Sequence, residues 1–217
     1  MIFLPRNFWN RFLTALILAA LFVAIFSLCT PWLLLLFLFA TFCYLVIQEL
    51  PALVLFPSAS FFLLVFFYLG VPFGMFIQLY LQSATAHLIF LICTFAAVND
   101  TCAYFGGSWW GKRKILSTVS RGKTWEGFLA GLCGVEIFSY LLLRWHESTP
   151  PYWYLYAFFI AIIATTSDLF ESWLKRRAHL KDSGSLLPGH GGVLDRLDSI
   201  LGLTIFVWLT QNYLLLW

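Results

Sequence analysis

Apolar runs about twenty residues long recur from residue 12 to the end of the chain, and the polar stretches between them are too short to form a soluble domain. Each run is near the roughly 20 residues a helix needs to cross a hydrocarbon core about 30 Å thick. Backbone in lipid must satisfy its polar groups internally, so runs of this length dictate helices. Charged residues make up 11% of the chain and apolar residues 61%, against roughly 25% charged in soluble domains. The expected fold class is therefore an all-α polytopic membrane protein.

The runs predict about seven transmembrane helices, near residues 12–29, 31–48, 57–80, 84–105, 125–143, 152–170 and 193–215. Pro51, Pro57 and Pro72 interrupt the third region, which is expected to be either one kinked helix or a short hairpin. The first run follows Arg6 and Arg11 but is long for a signal-peptide core and has no small-x-small cleavage site, so it is expected to be a retained span. Two connections are strongly basic. Lys112, Arg113, Lys114, Arg121 and Lys123 occupy one, and Lys175, Arg176, Arg177 and Lys181 the other. The positive-inside rule puts both on the cytoplasmic side, and counting back through seven spans puts the N-terminus there too and the C-terminus outside.

The five cysteines lie in or beside apolar segments without C-x-x-C spacing, which reads as buried thiols rather than metal ligands. A net charge of +3 implies no nucleic-acid partner when the cations cluster in two short loops. Seven helices alone would suit a receptor or retinal-protein bundle, but that reading leaves the acidic residues unexplained.

A carboxylate inside a membrane costs a few kcal/mol even on lenient insertion scales, so each needs a partner or a task. Asp168, Glu171 and Ser172 share one helix face at i, i+3 and i+4. Asp195 and Asp198 are likewise three apart at the start of the last span, and Asp100 follows Asn99 near the end of the fourth. Two such pairs on facing helices would repel one another unless cations stood between them, and hard oxygen ligands of this kind suit Mg²⁺. The plainer alternative is neutralisation by Arg196, Arg176 and Lys175. Gly189, Gly191 and Gly192 flank His190 and lead into the helix of Asp195, where backbone N–H groups could approach a polyphosphate. Two stretches approach a Walker A loop but fail it: Arg113 stands where Ser or Thr is needed, and Ser117 where the first glycine is needed.

Taken together, Ser172-Trp-Leu-Lys175-Arg176, Lys181-Asp182-Ser-Gly184 and Leu187-Pro188-Gly-His190-Gly191-Gly192-Val-Leu-Asp195-Arg196-Leu-Asp198 resemble the signature of the phosphatidate cytidylyltransferase (CDP-diacylglycerol synthase) family. A second block, from Asn99-Asp100 through Tyr104-Phe105-Gly106-Gly107 to Gly122-Lys123-Thr124-Trp125-Glu126-Gly127, resembles that family's other polar segment. Arg121 stands where the family usually has Pro, and Asn99 where it has Ala. The resemblance divides the chain into residues 1–90, transmembrane helices with no motif, and residues 91–217, a catalytic transmembrane region whose two polar cytoplasmic loops form the site.

The resemblance implies CTP and phosphatidate as substrates, CDP-diacylglycerol and pyrophosphate as products, and a Mg²⁺-dependent site, with or without a second cation. It implies a multi-pass protein of a bacterial inner membrane, in contact with membrane lipid, with its active site at the cytoplasmic face, and it allows a homodimer. On this reading Asp168, Asp195 and Asp198 hold the metal with Glu171 and Asp100 beside them. Lys175 and Arg196 join the catalytic set. Lys123, Ser172, Arg176, Lys181, His190, Gly191 and Gly192 bind substrate. The nearest alternatives are a CTP-dependent transferase acting on another lipid phosphate or a lipid alcohol and, in a different class, an ion-coupled transporter. The latter expects inverted repetition, whereas residues 1–90 are nearly free of acids and the remainder is rich in them.

Overall fold

The computed structural model describes residues 31–82, 86–120, 122–147, 151–187 and 191–214. The span predicted at 12–29 lies outside them. The described residues form six long helices and no strand: α1 (Pro31–Leu53), α2 (Ala59–Leu81), α3 (Ala86–Trp110), α4 (Trp125–Trp145), α5 (Trp153–Arg177) and α6 (Leu194–Leu214). The first five are long and apolar enough to cross a membrane. They match the predicted spans to within a few residues at most ends, while α6 carries Asp195, Arg196 and Asp198 in its first two turns.

Both prolines inside helices are accommodated in the same way. The turn Leu45–Glu49 of α1 and the stretch Leu64–Gly70 of α2 are π-helical, and each ends just before a proline. Leu50 N–H bonds back to Leu45 O, and Val71 N–H to Phe66 O, five residues away rather than four. The widened turn gives room to the ring of Pro51 or Pro72, which would otherwise strike a carbonyl of the preceding turn. The third region is therefore one continuous helix. Pro57 lies in the link before it, and Ser58 caps it by accepting a hydrogen bond from Phe61 N at 3.1 Å.

α3 and α4 pack backbone to backbone along a seam of small residues. A β-carbon on Gly127 would fall 2.8 Å from Ala103 O, and one on Gly131 would fall 2.9 Å from Asn99 Oδ1, as expected where helices associate in lipid by close approach. Leu88, Ile92, Ile160 and Leu203 from α3, α5 and α6 fill one core, and Leu45, Leu50, Leu69 and Leu201 from α1, α2 and α6 fill another. Phe37, Phe39, Phe62, Phe66, Leu129 and Leu141 are exposed on the outside of the bundle. A surface so apolar is out of place in water but suits hydrocarbon. Trp109, Trp110 and Trp125 project at one end and Trp145 at the other, the positions of interfacial anchors. The alternation of helices brings the α1–α2, α3–α4 and α5–α6 links to one end of the bundle, and both basic loops lie there.

Candidate active site

The sequence Asp168-Leu-Phe-Glu171-Ser172-Trp-Leu-Lys175 on α5 places four polar side chains on one face, and that face meets the start of α6. Carboxylate oxygens of Asp168, Glu171 and Asp198 all lie within 4.8 Å of one another. Glu171 is fully buried and Asp198 is 6% exposed. Cations stand against the outer sides of this group. Lys123, from the loop after α3, meets Asp168 Oδ2 at 2.5 Å and donates to Thr165 O at 3.3 Å. Lys175 meets Glu171 Oε2 at 2.5 Å. Glu171 Oε1 is buried with no hydrogen-bond partner among the described residues. An all-oxygen set with one such open position is what a hard divalent cation could use.

Asp195 is not one of the three converging carboxylates. Its Oδ1 meets Lys175 Nζ at 2.5 Å, and its Oδ2 accepts from Ser183 N at 3.0 Å and Gly192 N at 2.7 Å. At the very start of α6 the nearest donors are loop N–H groups, and Asp195 turns to them; Asp198, one turn deeper, faces α5. Asp100 also stands apart from the trio. It lines the same cavity from α3, with Asn99 Nδ2 donating to it at 3.3 Å. Ser172 Oγ donates to Asp168 Oδ1 at 3.4 Å.

The cavity, about 480 Å³, is lined by Asp100, Asp168, Asp182, Asp195 and Asp198 and by Lys123, Lys175 and Arg196. Five carboxylates against three cations leave a formal excess of two negative charges before Glu171 is counted. Arg196 lines a second cavity as well, of about 570 Å³, whose remaining wall is almost wholly apolar and drawn from α1, α2, α3, α6 and the loop before α6. A polar chamber and an apolar one thus share one lining residue, Arg196.

The expected phosphate-binding backbone is arranged differently. Gly192 N–H is taken by Asp195, while Val193 N–H and Leu194 N–H donate to Glu49 at 2.7 and 2.9 Å. The amides leading into α6 are thus already occupied by carboxylates of the chain itself. Gly191 sits at φ +84°, a backbone conformation natural to glycine. His190 lies outside the described residues. Arg176 fastens the two basic loops to each other, donating to Val119 O at 3.1 Å and Leu180 O at 2.6 Å. Lys181 is exposed beside Asp182.

Two residues of α1 and α2 join this region without having been expected there. Glu49 is one. Tyr68, whose ring packs edge-on against Phe170, buries its hydroxyl without a hydrogen-bond partner among the described residues. Glu49 carried a signal, as the one acidic residue before Asp100, whereas nothing distinguishes Tyr68 from the aromatic residues around it.

A family model described as the cytidylyltransferase family matches residues 3–214. Over 156 residues the chain is 36% identical to a phosphatidate cytidylyltransferase of Bacillus subtilis, covering 70% of this chain and 58% of that protein. It is 34% identical over 152 residues to one of Rickettsia conorii, covering 66% of each. It is 40% identical over 140 residues to one of Helicobacter pylori, covering 64% of this chain and 52% of that protein. The match therefore spans between about half and two thirds of these relatives' own length.

Proposed function

The chain belongs to the cytidylyltransferase family, and from that premise we propose that it transfers the cytidylyl group of CTP to phosphatidate, releasing pyrophosphate and forming CDP-diacylglycerol. The observation that carries this reading is the shared wall at Arg196. A lipid phosphate needs a polar chamber for its headgroup and CTP beside an apolar one for its chains, and Arg196 lines both.

In this reaction an oxygen of the lipid phosphate bonds to the α-phosphorus of CTP, and the bond from that phosphorus to the bridging oxygen of the β-phosphate breaks. The nucleophile is already an anion, so neither a covalent enzyme intermediate nor a strong base is required. What the protein must do is hold two polyanions together and stabilise charge as it shifts to the leaving pyrophosphate. Asp168, Glu171 and Asp198 fit a divalent cation such as Mg²⁺, which when bound would neutralise phosphate oxygens. Lys123, from the α3–α4 loop, and Arg196, from the first turn of α6, line the chamber and would hold CTP phosphates and the lipid headgroup. Lys175, fixed between Glu171 and Asp195, would bridge those two acids and offset their negative charge. The basic residues of both loops support a cytoplasmic orientation for the site, and the bacterial sources of its relatives support a bacterial inner membrane.

The test is the fate of label from CTP with the protein purified in detergent. Label at the α-phosphate should enter the lipid phase with phosphatidate as acceptor. Transfer of γ-label to a lipid alcohol would mean a kinase instead, and preference for a polyprenyl phosphate would mean a different acceptor.

A further inference from the structure

Glu49 is 1% exposed, stands at the end of the π-helical turn of α1, and is separated from every polar partner it has in the site by more than a hundred residues. Its Oε1 accepts from Val193 N at 2.7 Å, and its Oε2 accepts from Leu194 N at 2.9 Å and Ser183 Oγ at 2.9 Å. The loop before α6 is moulded onto this carboxylate: a β-carbon on Gly192 would fall 2.7 Å from either oxygen, and one on Gly184 2.9 Å from Oε1. A helix N-terminus favours an anion through its free N–H groups and dipole, and here the anion is supplied from within the chain.

The bonds continue into the site. Ser183 gives its hydroxyl to Glu49 and its N–H to Asp195, Asp195 holds Lys175, and Lys175 holds Glu171. We infer that Glu49 is a positioning residue: an internal anion that fixes the first turn of α6, and with it Asp195 and Asp198, against the face of α5. It makes α1 part of the site's machinery as well as a membrane span. The kinetic arm of the test rests on the transferase reading above, while the exchange arm does not.

The variant Glu49→Gln keeps size but removes the charge and replaces one acceptor oxygen by an N–H₂ that opposes a donor. Hydrogen–deuterium exchange of the detergent-purified protein should then quicken by about tenfold or more across residues 191–199 and stay unchanged in α3 and α4. The Mg²⁺ concentration for half-maximal turnover should rise by about tenfold, with KM for CTP moving less. Ser183→Ala removes one donor, leaves the charge in place, and should shift the same quantities in the same direction by a smaller factor; it also carries the test should Glu49→Gln not fold. Exchange and half-activating Mg²⁺ both within twofold of the parent would overturn the inference, as would activity lost only in proportion to unfolded protein. Should the parent protein itself not turn over CTP, the transferase reading fails and the exchange comparison alone decides the role of Glu49.

Discussion

Lys175 reaches from the last turn of α5 to Asp195 at the start of α6, with Nζ 2.5 Å from Oδ1, while also standing 2.5 Å from Glu171 on its own helix. One cation thus spaces two acids, and its side chain is only 10% exposed. Removing it by Lys175→Met leaves the buried Glu171 carboxylate without a cation and Asp195 with loop amides alone, a change that typically costs about 3–5 kcal/mol. The thermal unfolding midpoint in detergent should drop sharply. The triple variant with Glu171→Gln and Asp195→Asn should recover much of that loss while remaining inactive. Full activity in the triple variant would show that these groups serve stability alone.

Lys123 should matter to turnover more than to folding. It comes from a partly exposed loop, and its partner Asp168 keeps the Ser172 hydroxyl when the ammonium is gone. Lys123→Ala is expected to lower kcat/KM for CTP by about 10²–10³-fold, the scale of losing one aligned group that stabilises developing charge. The unfolding midpoint should move little, since pairs of this exposure contribute about 1 kcal/mol or less.

The seam between α3 and α4 gives the opposite pattern. Gly127→Leu would drive a side chain against the Ala103 carbonyl, 2.8 Å from where the β-carbon must sit. Overpacking of this kind costs roughly 1–3 kcal/mol or more. The expected result is a lower unfolding midpoint, read by thermal denaturation in detergent, with activity per folded molecule changed less than by any acid-to-amide variant of the trio.

Much of this architecture can be read in the sequence because lipid makes the rules strict. Charged residues are rare inside apolar runs, so Asp168, Glu171, Asp195 and Asp198 stand out, and the i, i+3 spacing puts each pair on one face. What the spacing does not say is which way a first-turn side chain turns. Asp195 and Asp198 look equivalent in sequence, yet loop amides and Lys175 capture the former and only the latter joins Asp168 and Glu171. Glu49 escapes notice for a related reason. It has no acidic neighbour at helical spacing, and two of its partners, the Val193 and Leu194 N–H groups, are backbone amides, which leave no trace in residue identity. The same holds for the glycines of the α5–α6 loop, where a phosphate cradle and a mould around a carboxylate call for the same residues. The π-helical turns are visible only in hindsight, through the prolines that follow them.

Asp198→Asn separates charge from structure within the trio. Asn keeps the side-chain oxygen that accepts from Ser199 N at 2.7 Å, and the Asp198 carbonyl still accepts from Ser167 Oγ. The fold should persist while one of three anionic ligands is lost. The Mg²⁺ concentration for half-maximal turnover should rise at least about tenfold, measured by titrating Mg²⁺ at saturating CTP.

The central claim is that a carboxylate trio beside a polar chamber, itself adjoining an apolar one at Arg196, performs metal-dependent cytidylyl transfer to a lipid phosphate. Its most direct test is conversion of α-labelled CTP by the detergent-purified protein with dioleoyl phosphatidate, in Mg²⁺ and in excess EDTA. The account predicts labelled CDP-lipid in Mg²⁺ and none in EDTA, with activity restored on adding Mg²⁺ back. Undiminished product in EDTA, or no product in Mg²⁺ while a known cytidylyltransferase turns over the same lipid, would contradict it.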